Sequence, residues 1–430
     1  MDMKPTEATE TGRTTRASRI YGPAAAPRGI IASLGPGLVT GAADDDPSGI
    51  ATYSQVGAQF GYALGWTMIL SFPLMTAIQA ISARIGCVTG RGIASNLRKH
   101  YPRWLLHIVL AMLVVANVIN LGADLGAMGE AVGLLVGGPT QVYPLVFAVV
   151  CVLLQTFISY EHYAPMLKWA TVSLFAYVAV AFSANVPLGP ALHGLLVPTL
   201  SFDSAHATAL VAVLGTTISP YLFFWQAAQE VEELHRRNLQ PLSTTPRGAA
   251  PELARIRTDT IVGMVFSNVI ALFIIVAAGA TLHANGVTDV QTAAQAAEAL
   301  RPVAGLFTFA LFALGIISTG MLAIPILAGS VAYAASETFG WTEGLDHRLR
   351  EARAFYATIA FATLGGVLLN FAPIAPVKAL YWSAVLNGVL AAPLMVVIML
   401  LASNPRVMGR LTISRALAVA GWPRRESWRR

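Results

Sequence analysis

The chain has 430 residues, of which 55% are hydrophobic and 12% are charged, and its mean hydropathy is +0.62. Soluble domains carry about 25% charged residues, so this composition excludes an ordinary soluble protein and indicates a polytopic membrane protein. The two cysteines, Cys87 and Cys151, lie in apolar sequence and have neither disulfide nor metal-ligand spacing.

Apolar segments follow one another along the chain after a polar N-terminus. Residues 1–28 are rich in Thr and Arg and are predicted to be a disordered cytoplasmic segment. Residues 29–402 form the predicted transmembrane domain of about ten helices, and residues 403–430 form a basic cytoplasmic tail. The segment 230–257 is predicted to be a cytoplasmic loop. The predicted spans are 29–60, 66–87, 104–136, 142–160, 164–184, 205–229, 260–284, 305–335, 355–371 and 378–402.

The basic residues are distributed as in a membrane protein. With both termini in the cytoplasm, all but two of the 28 Lys and Arg residues fall on the cytoplasmic side, and the exceptions are Arg301 and Lys378. This asymmetry follows the positive-inside rule and predicts a multi-pass protein of a bacterial inner membrane. It also explains the pI of about 9.4, since basic charge faces anionic lipid headgroups. The bilayer is therefore an expected partner and nucleic acid is not, and no obligate protein partner is inferred.

The first predicted span is interrupted by acidic residues. Residues 44–49 read Asp-Asp-Asp-Pro-Ser-Gly. Carboxylates at membrane depth are costly and mark ion or substrate paths. Non-helical backbone is tolerated there only where it lines a cavity or is buried in protein. This segment therefore predicts a broken helix that carries a cation site.

The sixth predicted span contains a second break. Residues 214–222 read Leu-Gly-Thr-Thr-Ile-Ser-Pro-Tyr-Leu, and a proline in the middle of a helix frees carbonyl groups upstream. Breaks in spans one and six fit an inverted repeat of five plus five helices, with the site where the two broken helices meet. The freed carbonyls at the ends of the half-helices suit a cation.

Four segments carry a resemblance to a known family. Residues 35–37 read Gly-Pro-Gly and 46–52 read Asp-Pro-Ser-Gly-Ile-Ala-Thr; residues 79–86 read Gln-Ala-Ile-Ser-Ala-Arg-Ile-Gly and 403–409 read Ser-Asn-Pro-Arg-Val-Met-Gly. They resemble the NRAMP (natural resistance-associated macrophage protein) divalent-metal transporters, whose first span carries Asp-Pro-Gly-Asn. The resemblance covers most of residues 29–410. It implies the APC-superfamily inverted-repeat fold, and divalent metal as a transported substrate with no cofactor.

The resemblance also implies a metal site with altered ligands. Asp46 keeps the family's Asp, whereas Gly49 stands in place of its Asn ligand and Ser219 in place of its Met thioether. Thr216 falls where the family offers a backbone carbonyl. Thioethers favour soft or borderline ions, so their loss leaves oxygen ligands and space for water, which suits Mg²⁺. This pattern resembles the NRAMP-related magnesium transporters, a divergent branch of the family.

Asp44 and Asp45 have no counterpart in the family motif. They either hold the outer shell of a hydrated ion or solvate the mouth of the break. Asp45 is the better candidate of the two and is included among the predicted metal-site residues.

The proton relay of the family is altered as well. Its two relay acids and two histidines fall on residues that do not titrate near neutral pH: Ala123, Gly126, Tyr221 and Gln226. Asp124 and Glu130 lie in the same third span in another register, since a helix turns about 100° per residue. They are the candidates for a proton path, against a role in helix packing.

The sequence thus predicts a secondary transporter or facilitator of Mg²⁺, and also of Mn²⁺, that works by alternating access without proton coupling and is not an enzyme. Three alternatives stay open. They are an ordinary proton-coupled Mn²⁺/Fe²⁺ importer of the same fold, a membrane sensor or scaffold that does not transport, and an organic-solute carrier.

Overall fold

The structure is a computed structural model that describes residues 35–158, 171–184, 186–246 and 249–413. Every regular element in these ranges is helical and none is a strand, which confirms the predicted all-α class. The predicted N-terminal segment 1–28 lies outside the described residues, as does most of the predicted tail 403–430.

Seventeen α-helices, α1 to α17, occur in the described residues. In chain order they are Pro36–Asp44, Pro47–Phe60, Trp66–Thr89, Ile93–His100, Arg103–Val136, Val142–Phe157, Phe175–Ser183, Leu188–Leu196, Ser204–Thr217, Pro220–Arg236, Ala249–Thr281, Ala293–Ala297, Arg301–Ala304, Thr308–Phe339, Arg353–Leu369, Pro376–Ser403 and Pro405–Met408.

The long helices account for the predicted spans. Six helical segments in the described residues are long and apolar enough to cross a membrane, and three shorter apolar helices accompany them. Together with the broken pair α1 and α2, they match the ten predicted segments in order. Where both ends of a predicted span lie in the described residues, the bounds agree within a few residues except around the sixth and seventh spans; the start of the first span, the end of the fourth and the start of the fifth lie outside the described residues.

The segment 230–257 differs from its prediction as a cytoplasmic loop. Helix α10 continues to Arg236 and α11 begins at Ala249, so most of the segment is helical. The reason is that its charged residues pair with one another inside the protein: Arg255 Nη2 lies 2.5 Å from Glu230 Oε2, and both side chains are buried. A run of charges in sequence resembles a solvated loop, whereas here it forms a buried network.

The two broken spans are held by unbroken helices. Helices α1 and α2 pack along α11, and α9 packs along α16. A Cβ on Gly41 would overlap the backbone of Gly263, and one on Gly215 would overlap that of Ala384, so these helices approach closely. This packing places both breaks inside the bundle, next to α5, which contacts α14, α15 and α16.

Candidate functional site

The first break separates α1 from α2. Helix α1 ends at Asp44 and α2 begins at Pro47, whose ring nitrogen cannot donate a hydrogen bond. Asp46 is the N-cap of α2, and its Oδ1 accepts from the Gly49 backbone N–H (2.8 Å) and from Ser48 Oγ (2.6 Å). The order Asp-Pro therefore restarts the helix by ordinary capping chemistry, and the carboxylate lies at the break.

The second break separates α9 from α10. Ile218 and Ser219 leave the helical conformation, and Pro220 begins α10. The Ser219 hydroxyl donates to the Thr216 carbonyl oxygen at 2.8 Å, so its proton is directed back to α9. Its lone pairs stay available as a hard oxygen donor for a cation.

The two breaks meet in the structure. Tyr221, in the first turn of α10, places its hydroxyl 3.1 Å from Asp46 Oδ2 and 3.2 Å from the Ala43 carbonyl oxygen. A Cβ built on Gly49 would lie 3.2 Å from Thr216 Oγ1. Among the described residues, that Thr216 hydroxyl is buried and makes no hydrogen bond of normal geometry. The side chain of Thr216, and not only its carbonyl, therefore faces the break.

Asp46 is held by residues from other spans. Its Oδ2 accepts from Asn120 Nδ2 of α5 at 3.2 Å, in addition to Tyr221. Asn120 is fixed in turn by Ser383 of α16, whose hydroxyl donates to Asn120 Oδ1 at 2.8 Å. Asp46 thus has four hydrogen-bond donors in all. Sequence reasoning missed Asn120 and Ser383, whose only signal is that they are polar residues in apolar spans.

The carboxylates of Asp44 and Asp45 have fewer hydrogen-bond donors than that of Asp46. Ser267 of α11 places its hydroxyl 2.8 Å from Asp44 Oδ2 and 3.2 Å from Asp45 Oδ1. The second oxygens, Asp44 Oδ1 and Asp45 Oδ2, have no hydrogen-bond partner among the described residues. Both side chains are 1% exposed. Ser267 is a third residue at the breaks that sequence reasoning missed.

The two candidates for a proton path lie in different surroundings. Asp124 is fully buried near Asp46 and interacts with the backbone N–H of Ser48, although neither of its oxygens accepts a hydrogen bond of normal geometry within the described ranges. Glu130, about 9 Å further along α5, accepts from the Ala293 backbone N–H at 2.9 Å at the start of α12. The structure brings Asp124 to the breaks and Glu130 to the segment that connects α11 to α14.

A separate buried network joins α1 to α10 and α11. Asp259 accepts from the backbone N–H groups of Gly35, Gly37 and Leu38 at 2.7–3.0 Å, which caps α1. Arg255, one turn away on α11, pairs with Glu230. Gln226 lies between Glu230 and the first broken helix, because its Oε1 accepts from a hydroxyl of α1 at 2.5 Å.

One other group of side chains has the composition of a metal site. Potential ligand atoms of Cys87, Glu230 and Glu252 lie within 4.8 Å of one another. However, Glu252 Oε1 already accepts from Arg255 (2.6 Å) and Arg237 (2.7 Å). These carboxylates are neutralised by guanidinium groups, so this cluster has no need of a metal ion.

Comparison with known proteins finds relatives that match most of the chain. The chain is 29% identical over 402 residues to the "Divalent metal cation transporter MntH" of Klebsiella pneumoniae (strain 342), which covers 91% of this chain and 90% of that relative. A crystal structure of a manganese transporter from Eremococcus coleocola superposes with a TM-score of 0.72 at 17% identity, covering 91% of this chain and 83% of the other. The inward-facing structure of Mhp1 gives a TM-score of 0.54, also at 17% identity, over 91% and 79% of the two chains.

These structural likenesses confirm the APC-type inverted-repeat fold with the first and sixth spans broken. Residues 37–423 match the family described as "Natural resistance-associated macrophage protein-like". That match spans most of the chain, including both breaks and the helices that hold them. The protein is an integral, multi-pass membrane protein, and it belongs to the Nramp family.

Proposed function

We propose that this protein transports divalent metal cations, Mg²⁺ and also Mn²⁺, across a bacterial inner membrane by alternating access and without proton coupling. The metal is cargo and not a cofactor, and no enzymatic reaction is involved. Both termini lie in the cytoplasm, so the ends of α10 and α11 that carry Arg236, Arg237 and Arg255 face inward. The names of the relatives, a divalent metal cation transporter and a manganese transporter, support the general class.

The observation that carries the proposal is a group of buried carboxylates without basic counter-charges. None of the ion pairs among the described residues involves Asp44, Asp45, Asp46 or Asp124. Uncompensated charges inside a protein cost several kcal/mol each. A cation supplied from outside removes that cost, so the breaks bind cations for an elementary electrostatic reason.

The chemistry of the ligands supports a hard ion. Asp46, Asp45, Ser219 and Thr216 offer only oxygen atoms at the breaks, and Gly49 offers no side chain. Mg²⁺ prefers oxygen ligands, keeps several waters and is commonly held by one or two carboxylates. Mn²⁺ also accepts carboxylate and water ligands. A site of this kind lacks the soft sulfur atom that would favour softer metals.

The absence of proton coupling rests on the residues at the relay positions. Ala123 and Gly126 carry no titratable group. Tyr221 is engaged with Asp46, and Gln226 with the hydroxyl of Thr40. A carrier without groups that load and release a proton along this route has no means of tying metal entry to proton entry.

One observation favours a second candidate function, a proton-coupled Mn²⁺/Fe²⁺ importer. Asp124 is buried beside Asp46, and in the described part of the chain it has neither a basic partner nor a hydrogen bond of normal geometry. A lone intramembrane carboxylate is a functional candidate by default, and here it lies at the right depth for a relay in a new register. Glu130 would have to release the backbone of α12 to take part.

Uptake into proteoliposomes tests these functions directly. Purified protein is reconstituted with a metal-sensitive dye and, in parallel, with a pH dye inside the vesicles. We expect Mg²⁺ and Mn²⁺ to enter in preference to Ca²⁺, with a dependence on membrane voltage and without internal acidification. Metal entry with acidification would establish the proton-coupled importer. If the correctly inserted protein moves no metal, the proposed function is wrong. The remaining alternatives are then a membrane sensor or scaffold and an organic-solute carrier.

A further inference from the structure

Asp44 and Asp45 share a single hydrogen-bond donor. The Ser267 hydroxyl has one proton and lies within reach of both carboxylates, so it can satisfy only one of them at a time. The remaining oxygens, Asp44 Oδ1 and Asp45 Oδ2, are buried without a partner among the described residues. Two adjacent carboxylates therefore lack donors at a place that solvent does not reach.

Two further hydroxyl oxygens face the same space. The Tyr53 side chain is 0% exposed, and its hydroxyl interacts with the Thr216 hydroxyl and with the carboxylates of Asp44 and Asp45. The two hydroxyls are neighbours, because a Cβ on Gly49 would contact the Tyr53 ring at 3.4 Å and Thr216 Oγ1 at 3.2 Å. Neither of them makes a hydrogen bond of normal geometry within the described ranges, so both oxygens have lone pairs to offer a cation.

Asp46 does not fill the same role. Its two oxygens lie within hydrogen-bonding distance of four donors, from Ser48, Gly49, Asn120 and Tyr221, although the single Tyr221 proton is shared with the Ala43 carbonyl oxygen. A carboxylate offers about four lone-pair sites, so Asp46 has at most one of them open, and only while Tyr221 donates to Ala43. Asp44 and Asp45 each have an oxygen that is free to bind at once.

The number of charges gives a second reason. Asp44, Asp45, Asp46 and Asp124 carry four negative charges when ionised, and one divalent ion neutralises two of them. Each of the two that remain is then neutralised either by a proton or by a second cation, because a buried charge without a partner is costly. The charge count therefore leaves room for a second divalent ion, and protein sites that hold two divalent ions about 4 Å apart are well known.

We propose that Asp44 and Asp45, positioned by Ser267 of α11, form a second divalent-cation position beside the Asp46 position. It takes a small hard ion, Mg²⁺ or Mn²⁺, that keeps part of its water shell. This inference rests on the proposed function, because it assigns the additional position to the transported ion. Two neighbouring divalent ions repel each other, which favours release of one when the other arrives.

The test counts Mn²⁺ ions bound to the full-length protein in detergent. Electron paramagnetic resonance at room temperature reports free Mn²⁺, so its loss on titration gives the bound stoichiometry. We expect two ions per wild-type chain and one per chain for Asp44→Asn, Asp45→Asn and Asp46→Asn. Asparagine preserves the shape of each side chain and its contact with Ser267 or Ser48. Ser267→Ala is expected to weaken one of the two ions by about tenfold.

Asp203→Asn is the matched control. Asp203 caps α9 outside the breaks and its side chain is largely exposed, so neutralising it should leave two bound ions. One ion per wild-type chain, or two ions in both Asp44→Asn and Asp45→Asn, would overturn the second position. Transport in liposomes distinguishes failure of the second cation position from failure of the proposed function. A wild-type protein that transports Mn²⁺ but binds one ion refutes only this inference, whereas one that neither binds nor transports refutes the proposed function.

Discussion

Two groups of buried carboxylates in this molecule are compensated in opposite ways. Glu230 and Glu252 lie against Arg255, and Asp259 accepts three backbone N–H groups at the start of α1. The carboxylates at the helix breaks contact no basic side chain among the described residues. Both groups border α1, one at its first turn and the other at its last.

The two ends of α1 differ in how their buried carboxylates are neutralised. At its first turn the compensation is permanent, because guanidinium groups and the helix dipole supply the positive charge. This fixes α1 to α10 and α11. At its last turn no ion pair among the described residues supplies a positive charge, and the proposed function assigns the counter-charge to the transported cation. On that proposal, a buried acid points to transport only where its counter-charge is missing.

The largest effect is expected from removing the best-held carboxylate at the breaks. Asp46→Ala takes away the anchor that joins α2, α5 and α10, together with one charge of the cation site. Metal uptake in liposomes should fall to the level of vesicles without protein, while membrane insertion and the elution profile stay unchanged. Asp289→Ala, which removes an exposed acid in the segment between α11 and α12, is the control and should transport normally. Uptake near the wild-type rate in Asp46→Ala would show that the site lies elsewhere.

The comparison also predicts stability changes of opposite sign. Arg255→Leu leaves Glu230 buried without its partner and should lower the free energy of unfolding by about 3–5 kcal/mol. Asp45→Asn removes an uncompensated charge and should raise the melting temperature of the protein in metal-free buffer. Thermal unfolding in detergent with a chelator measures both.

Arg257→Leu provides the control for this pair, since Arg257 is exposed on the same helix and its loss should change little. If Arg255→Leu and Arg257→Leu lower the free energy of unfolding equally, the buried pairing of Arg255 adds no more stability than an exposed arginine does. If Asp45→Asn lowers the melting temperature, the Asp45 carboxylate stabilises the metal-free protein and is not an uncompensated charge.

Selectivity should respond to the identity of the ligands. Ser219→Met with Gly49→Asn restores the family's sulfur and amide ligands, and should shift preference from Mg²⁺ to Mn²⁺ or Cd²⁺ by about tenfold, or ~1.4 kcal/mol. The new side chain at position 49 must displace the Thr216 hydroxyl, which a Cβ there would approach to 3.2 Å. Ser219→Met alone separates the effect of sulfur from that of crowding. An unchanged Mg²⁺/Mn²⁺ uptake ratio in a folded double variant would place selectivity elsewhere.

A smaller change is expected at Asp124, the fourth acid without a counter-charge. In the uncoupled mechanism, Asp124→Asn removes one negative charge near the ion and lowers metal uptake modestly, with no change in internal pH during uptake. A pH dye inside the vesicles checks this, and Glu130→Gln is the companion variant. Metal-dependent acidification in the wild type that disappears in Asp124→Asn would refute the uncoupled mechanism and identify Asp124 as the relay.

Much of the fold was predictable because its signals are local. The spans follow from apolar segments about 20 residues long, and the two breaks follow from prolines beside polar residues. The position of Asp46 as a helix cap follows from Asp-Pro chemistry alone. These features depend on residues that are neighbours in sequence, so an amino-acid sequence carries them directly.

The partners of the site residues were not predictable in the same way. Asn120, Ser267 and Ser383 are single polar residues in apolar helices, and no spacing rule links them to the first break. The pairing of Glu230 with Arg255 was missed for a related reason, since a cluster of charges near a span end resembles a solvated loop. Helix packing decides which polar residues come into contact, and it acts between residues far apart in sequence. The close contact between Gly41 and Gly263 is an example.

The last predicted effect concerns an acid that is not part of the breaks and has no ion pair among the described residues. Glu343 lies in the segment between α14 and α15, where burial and then the nearby carboxylates Glu337 and Glu232 raise its pKa well above the ordinary value of 4.5, although Arg98 opposes the shift. The folded protein therefore keeps a proton on Glu343 at a pH where the unfolded chain has lost it. Stability from this group is largest below pH 4.5 and declines as the pH rises above that value. Melting temperatures measured from pH 5 to 9 in metal-free buffer should fall less steeply in Glu343→Gln than in the wild type. Identical slopes would mean that this carboxyl ionises normally, and that missing counter-charges matter only at the helix breaks.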